Sequence, residues 1–219
     1  NYLNFVPTWI TLQLAARKEC MVQKILFKNL FNSSSYEFNF EKSSEGKGSL
    51  LFLTGPIFSQ NRLMLDTEKS SIVYYAKHPA HKWSGVNNTP KGVIEIENNT
   101  PNRIAVKANL ADFDSKSANR DANALRIFNA IEFPEVSFYS EDVRLNKKDT
   151  ISITGEFNLS GYKIPQSIDL QYGESDTGYS IKGEFILDLS QTKIRLPRFL
   201  FKPIESQIRC EIQLFFIKN

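Results

Sequence analysis

The sequence contains few of the residues on which metal sites and common catalytic motifs depend. Its 219 residues include only two cysteines, Cys20 and Cys210, two histidines and ten glycines. The cysteines are too far apart for a zinc or C-x-x-C motif, and no G-x-G-x-x-G segment is present to form a phosphate loop. A nucleophile elbow and a pair of acidic residues at catalytic spacing are also missing. We therefore predict that the protein is not an enzyme and has no cofactor.

Strong charge and long apolar segments are missing as well. The formal net charge is +3, and the sequence has no run of lysine and arginine of the kind that binds nucleic acid. We therefore expect no nucleic-acid partner. The apolar run at residues 50–58 is shorter than the roughly 20 residues that a membrane-spanning helix needs, and Gly55–Pro56 would break such a helix.

What the sequence does contain, from residue 72 onward, is a repeated alternation of apolar and polar side chains. It is clearest in residues 151–159, 179–188 and 208–216. A period of two residues predicts strands with one buried face each. Closing the sheet into a barrel would bury all these faces together and would leave no open edge.

Turn-forming segments rich in Asn, Asp, Gly and Pro divide this region into eight predicted strands. The predicted strands cover residues 71–78, 91–98, 103–112, 135–145, 150–159, 162–172, 178–189 and 206–217. We therefore predict an all-β fold, an eight-stranded antiparallel barrel. A barrel of this size is wide enough for packed side chains or for one slender ligand.

One segment, residues 114–128, does not follow the strand pattern. It is predicted to be a loop that leads into a short helix, with Ser117 or Asn119 as the capping residue and Asp121 in the first turn. Phe133–Pro134 returns the chain to a strand. The helix is therefore expected between the third and fourth predicted strands, where it could cover one mouth of the barrel.

The inward-facing side chains raise the main functional question. They include Ile153, Phe157, Ile181, Phe185, Ile212 and Leu214. These side chains either fill a solid core or line a slot for a ligand. Small residues on the same face, namely Gly155, Gly183, Ala76 and Ala108, would leave room for a ligand or for a bent strand. Cys210 shares this face, so we expect a buried, unreactive thiol.

The N-terminal segment differs from this region. Residues 33–49 are polar and rich in serine, and Lys47 precedes the apolar run. A basic stretch, a short apolar stretch and a small residue are typical of a secretory signal. We therefore predict a signal-peptide core at residues 47–60, with cleavage near Ser59 or Gln60, although an extra strand on the barrel is an alternative.

These patterns give three predicted regions. Residues 1–46 stay unassigned, as a disordered extension or as sequence that does not belong to the native protein. Residues 47–60 form the signal-peptide core, and residues 61–219 form the barrel domain. A cleaved signal peptide implies a periplasmic or otherwise extracytoplasmic location.

Polar residues near the predicted barrel mouth are candidates for ligand contact. His78 and His81 could bind a metal, shape the turn after the first strand, or bind a ligand head group. Trp83 beside them is a lid or packing residue. Arg120 suits an anionic head group, but with Asp121 it could instead attach the helix to the barrel rim.

Four motifs resemble the YceI family over residues 71–219. They are His78–Gly85 (HPAHKWSG), Asn119–Ala122 (NRDA), Phe133–Phe138 (FPEVSF) and Gly155–Gly161 (GEFNLSG). The resemblance implies an extracytoplasmic, lipocalin-like barrel that binds a polyprenoid lipid. Many relatives carry a histidine where this chain has Asn123, so a head-group contact at that position would differ.

Three hypotheses follow from the residues and the resemblance. The first is binding, storage or transport of an amphipathic isoprenoid-type lipid inside the barrel, with His78, His81, Trp83 and Arg120 at the mouth. The second is an enzyme on the same barrel that uses His78 or His81 as acid or base. The third is an envelope stress or interaction protein with a filled core. The expected partner is a polyprenoid or other long-chain amphipathic lipid, and a homodimer is left open.

Overall fold

A computed structural model of the protein describes residues 61–146, 149–199 and 201–218. The strands within these residues are β1 (Asn61–Leu65), β2 (Ser71–His78), β3 (His81–Asn87), β4 (Lys91–Glu97), β5 (Thr100–Asn109), β6 (Glu135–Asn146), β7 (Thr150–Leu159), β8 (Tyr162–Ser175), β9 (Gly178–Asp188), β10 (Arg198–Phe199), β11 (Lys202–Pro203) and β12 (Gln207–Ile217). One α-helix, α1 (Ala118–Ile127), lies between β5 and β6. No helix in the described residues is long and apolar enough to cross a bilayer.

Eight of the strands form a closed antiparallel barrel. The order around the barrel is β1-β4-β5-β6-β7-β8-β9-β12, and β12 closes it by pairing with β1. Strand β2 also pairs with β12, with Ile72 opposite Ile212. Strand β3 pairs with β2, and the two form a hairpin. The predicted all-β, eight-stranded antiparallel barrel is therefore confirmed.

The strand prediction missed β1 and β3, and also the short strands β10 and β11. Strand β3 (HKWSGVN) lacks the alternation that identified the others, and β1 follows directly on the apolar run that we assigned to a signal peptide. Because β1 and β3 precede the helix, its predicted place in the strand order was wrong. Helix α1 lies between the fifth and sixth strands and not between the third and fourth. The predicted segments 1–46 and 47–60 lie outside the described residues.

Helix α1 begins where the sequence predicted. Ser117 occupies the N-cap position, but its side chain makes no capping hydrogen bond. Asp121, in the first turn, accepts a hydrogen bond from the backbone N–H of Ser115 at 3.2 Å. None of the residues in α1 is fully buried, so the helix covers the barrel from its rim and is not part of its core.

The antiparallel connections give the barrel two different ends. One end carries α1, the turn between β7 and β8 at Ser160–Gly161, and the connection from β9 to β12. We call it the helical end, and the opposite end the closed end. The closed end is packed with apolar side chains, among them Ile94, Ile151 and Phe216, each at most 1% exposed.

Gly155 lies at a distortion of the pairing between β6 and β7. The register shifts between Tyr139 and Asp142, and the buried Ser140 hydroxyl donates to the Thr154 carbonyl oxygen at 2.7 Å. A Cβ atom on Gly155 would lie 2.3 Å from the Tyr139 carbonyl oxygen. The sequence analysis left two roles for Gly155, room for a ligand or a bent strand, and these contacts fit the bent strand.

Replacing Gly155 by alanine should therefore destabilise the barrel. The new methyl group would meet backbone atoms that cannot rotate away, so we expect Gly155→Ala to lower the free energy of unfolding by about 1–3 kcal/mol. Gly173→Ala is the matched control, because the atom nearest to its Cβ is the Ser180 hydroxyl, which can rotate. Urea unfolding measures both, and equal stability of the two variants would contradict this account of Gly155.

Candidate functional site

A cavity of about 490 Å³ extends from the middle of the barrel to the helical end. Inward-facing side chains of the strands form its deep part, and α1 and the connection from β9 to β12 border its outer part. Nine of the ten predicted site residues line this cavity: His81, Trp83, Arg120, Ile153, Phe157, Ile181, Phe185, Ile212 and Leu214. The barrel interior is therefore not filled throughout by protein atoms.

The walls of the cavity are apolar and partly aromatic. The ring of Phe157 lies 4.7 Å from that of Phe138 and 5.3 Å from that of Phe185, measured between ring centroids. These three residues come from β6, β7 and β9, and their rings form a continuous aromatic surface inside the barrel. Such a surface can contact an unsaturated or branched hydrocarbon chain without any polar partner.

The cavity ends where the closed end begins. Ile153, Ile181 and Leu214 line it, whereas Ile151 and Phe216, two residues away on the same inward faces, do not. The change from lining to packed residues occurs within one pleat of the strands. A ligand chain therefore has a floor beneath it and one end through which to enter.

Only two of the four small inward-facing residues add space to the cavity. Ala76 and Ala108 line the cavity, where their short side chains add to its width. Gly155 and Gly183 are not among the lining residues. A Cβ atom on Gly183 would lie 2.8 Å from the Leu170 side chain, so that neighbour already occupies the space beside this glycine.

Polar and aromatic side chains gather at the mouth of the cavity. The Trp83 ring lies 5.1 Å from the His81 ring and 5.5 Å from the guanidinium carbon of Arg120. Arg120 also donates from its guanidinium to the Ser115 carbonyl oxygen at 3.0 Å. A guanidinium has five N–H donors, so this arrangement fixes its position and leaves donors for another group.

Tyr74 is a mouth residue that the sequence analysis did not single out. It faces the cavity from β2, and its ring covers Gly85, its register partner on β3, so closely that a Cβ there would lie 2.3 Å from a ring carbon. Burial raises the pKa of the Tyr74 hydroxyl and the Asp121 carboxylate raises it further, so this hydroxyl stays neutral. Its alternation with Ile72 and Ala76 was the signal that could have identified it.

The segment from β9 to β12 also lines the cavity, through Leu196, Pro197 and Ile204. It lies outside the strands that we predicted, which explains why these three residues were missed. Asn123, which stands where many relatives carry a histidine, also lines the cavity. Its side-chain oxygen accepts a hydrogen bond from Arg126.

His78 is the predicted site residue that does not line the cavity. It is 3% exposed, and the backbone N–H of Ala80 donates to its Nδ1 at 3.1 Å. Nε2 therefore carries the hydrogen and faces the Lys202 carbonyl oxygen at 3.2 Å. Of the roles left open for His78, the contacts match that of a residue that shapes the turn. Among the described residues, no group of three His, Cys, Asp or Glu side chains is placed to hold a metal ion.

Known proteins resemble this chain in sequence pattern and in fold. Residues 63–216 match the family model described as YceI-like domain. BcnA from Burkholderia cenocepacia has 12% sequence identity and a TM-score of 0.62, covering 69% of this chain and 98% of its own. A polyisoprenoid binding domain from Saccharophagus degradans, implicated in plant cell wall breakdown, has 10% identity and a TM-score of 0.59, covering 71% and 98%. No curated protein matches the chain.

Cys210 offers a chemical test of this interior. Its thiol is free, buried and part of the cavity lining, and burial raises the pKa of the thiol to about 12. Because the thiolate is the reactive form, modification at neutral pH should be about a thousandfold slower than for an exposed cysteine. The measurement is reaction with a thiol reagent in a Cys20→Ser background, where Cys210 alone reports, and unfolding in urea should restore the ordinary rate. Rapid modification of the folded protein would contradict the burial of Cys210 and the raised pKa of its thiol.

Proposed function

The chain belongs to the YceI-like domain family, and from this premise we propose that its barrel binds an amphipathic lipid with an isoprenoid-type tail. The observation that carries the proposal is the cavity, which is apolar inside, closed at one end and polar at its mouth. The similarity to a polyisoprenoid binding domain from Saccharophagus degradans supports the class of ligand.

The tail would bind through the hydrophobic effect. Moving each CH₂ group from water into an apolar site contributes about 0.8 kcal/mol, so a long chain needs few polar contacts. The rings of Phe138, Phe157 and Phe185 supply an aromatic wall for the methyl-branched, unsaturated units of such a tail. Ala76 and Ala108 keep the outer part of the cavity wide enough for it to pass.

The head group would stay at the mouth, in contact with Arg120, His81, Trp83 and Tyr74. Arg120 is held by its hydrogen bond to Ser115 and by the Trp83 ring, so little conformational entropy is lost when it binds a ligand oxygen. A guanidinium in this position favours an anionic or strongly hydrogen-bond-accepting head group. Asn123 would add an uncharged amide to this contact surface.

Binding, storage or transport fits these residues better than catalysis. Both ring nitrogens of His78 face backbone groups, which occupies one of the two candidates for an acid or base, His78 and His81. His81 lines the cavity, but it lies between two other rings, those of His78 and Trp83. The homodimer stays a prediction.

Matched substitutions at two neighbouring isoleucines test the proposed cavity function. Ile151→Asp would bury a charge among packed side chains, so it should lower the free energy of unfolding by at least about 3 kcal/mol. Ile153→Asp places the same charge beside a cavity that protein atoms do not fill, so it should cost clearly less. Urea unfolding compares the two variants.

Lipid binding is measured on the same proteins. Native mass spectrometry of wild type purified from its own host should detect a bound lipid, and Ile153→Asp should lose it because a charge excludes an alkyl chain. Thr154→Asp controls for the added charge, since Thr154 is exposed on the outer face of the same strand. A lipid-free wild type, with equal destabilisation by Ile151→Asp and Ile153→Asp, would support a filled core and contradict the proposal.

Export from the cytoplasm is a further part of the proposal. It is supported by the basic, apolar and small residues in sequence across residues 47–60. We expect the mature protein in the envelope fraction to begin close to Gln60 or Asn61, which N-terminal sequencing would determine. A chain that keeps residues 21–59 in the cytoplasm would refute both the location and the domain boundary.

A further inference from the structure

The connection from β9 to β12 has an unusual charge pattern. Between Asp188 and Glu205 it contains four cationic residues and no acidic residue. The cations are Lys193, Arg195, Arg198 and Lys202. We call residues 189–204 the basic connection.

The side chains of the basic connection point in two directions. Ile194 and Leu196 are half-buried against the barrel, whereas Lys193 and Arg195 between them are exposed. None of the four cations forms an ion pair with another described residue. The connection therefore presents unpaired positive charge outward while its apolar side borders the cavity.

The acidic residues that flank this segment form no ion pair with its cations. Glu205 pairs with Lys77 at 2.8 Å. The Asp188 carboxylate accepts a hydrogen bond from the Ser190 backbone N–H at 2.9 Å, which lowers the pKa of that carboxyl group.

An exposed aromatic residue stands among these cations. Phe201 lies between the short strands β10 and β11, and its side chain is 97% exposed. Its φ angle of +68° is in the left-handed region, which bulky residues rarely adopt. A phenylalanine held in water in this conformation has no role in the packing of the barrel.

The backbone that follows Phe201 is attached to the barrel. The Lys202 carbonyl oxygen faces His78 Nε2 at 3.2 Å, and the Glu205 backbone N–H donates to the Lys77 carbonyl oxygen at 2.9 Å. Ile204 donates to the Pro197 carbonyl oxygen at 3.1 Å. Phe201 is therefore exposed directly before a segment whose backbone is hydrogen-bonded to the barrel.

A second fully exposed apolar residue lies at the same end of the barrel. Ile131, in the turn that follows α1, is 101% exposed. The segment after α1 and the basic connection both border the helical end, where the cavity has its mouth. Exposed apolar side chains and unpaired cations thus occur together around the entrance.

From this arrangement we propose that the helical end docks on the surface of an anionic lipid bilayer. Lys193, Arg195, Arg198 and Lys202 would contact lipid phosphates, and Phe201 would insert at the level of the head groups. Aromatic and apolar side chains next to basic ones are the combination that binds bilayer interfaces. The docked orientation would direct the cavity mouth towards the membrane, so a lipid could move between bilayer and barrel without crossing water.

Vesicle flotation tests the docking surface independently of the cavity ligand. The probe is vesicles of phosphatidylcholine with or without phosphatidylglycerol, which contain no isoprenoid. Wild type should bind the anionic vesicles, less at high salt, and should not bind phosphatidylcholine alone. Arg195→Gln combined with Arg198→Gln should weaken binding by roughly 20- to 30-fold, and Phe201→Ser by about tenfold.

The controls lie at the closed end. Arg144→Gln removes an exposed cation there, and Leu145→Ser removes an apolar side chain that is 40% exposed, so neither should change binding. Circular dichroism verifies that each variant is folded. Absence of binding by wild type, equal losses in the control variants, or unchanged binding after both substitutions in the basic connection would overturn the proposal. Binding to an oligonucleotide but not to vesicles would overturn it as well.

Discussion

Pairing between β12 and β1 is the interaction on which the rest of the structure depends. Leu65 lies opposite Phe216 and Met64 opposite Ile217, and through these pairs the sheet becomes a ring. Because the ring is closed, the inward face of every strand borders the same interior. The apolar side chains of all the alternating strands are then buried in one interior, and no strand of the ring is left as an open edge.

The same interior is used in two ways along its length. At the closed end, Ile94, Ile151 and Phe216 pack as in an ordinary protein core. Towards the helical end the same strands enclose a cavity of about 490 Å³. Protein interiors are normally close-packed, so a space of this size in an apolar barrel points to a ligand as its occupant. Stability and binding are in this way assigned to different layers of one barrel.

The helical end concentrates the features that are not needed for folding. Arg120 and Trp83 stand at the mouth, and Phe201 and the exposed cations of the basic connection lie outside it. His78 links the two regions, because its ring is bound between the β2–β3 turn and the backbone of Lys202. Ligand binding and the proposed membrane contact therefore share one structural support.

The sequence by itself determined the barrel, most of its strands, the position of α1 and the side chains that face inward, because alternation and turn residues are local signals. The tertiary structure alone decided that β3 is a strand, since its residues lack alternation and its order comes from pairing with β2. It also decided that His78 contacts Lys202, 124 residues away, and that Gly155 faces a neighbouring carbonyl group. Whether the interior is filled or open depends on the volumes of the side chains from all strands together, and a local sequence pattern does not predict this total.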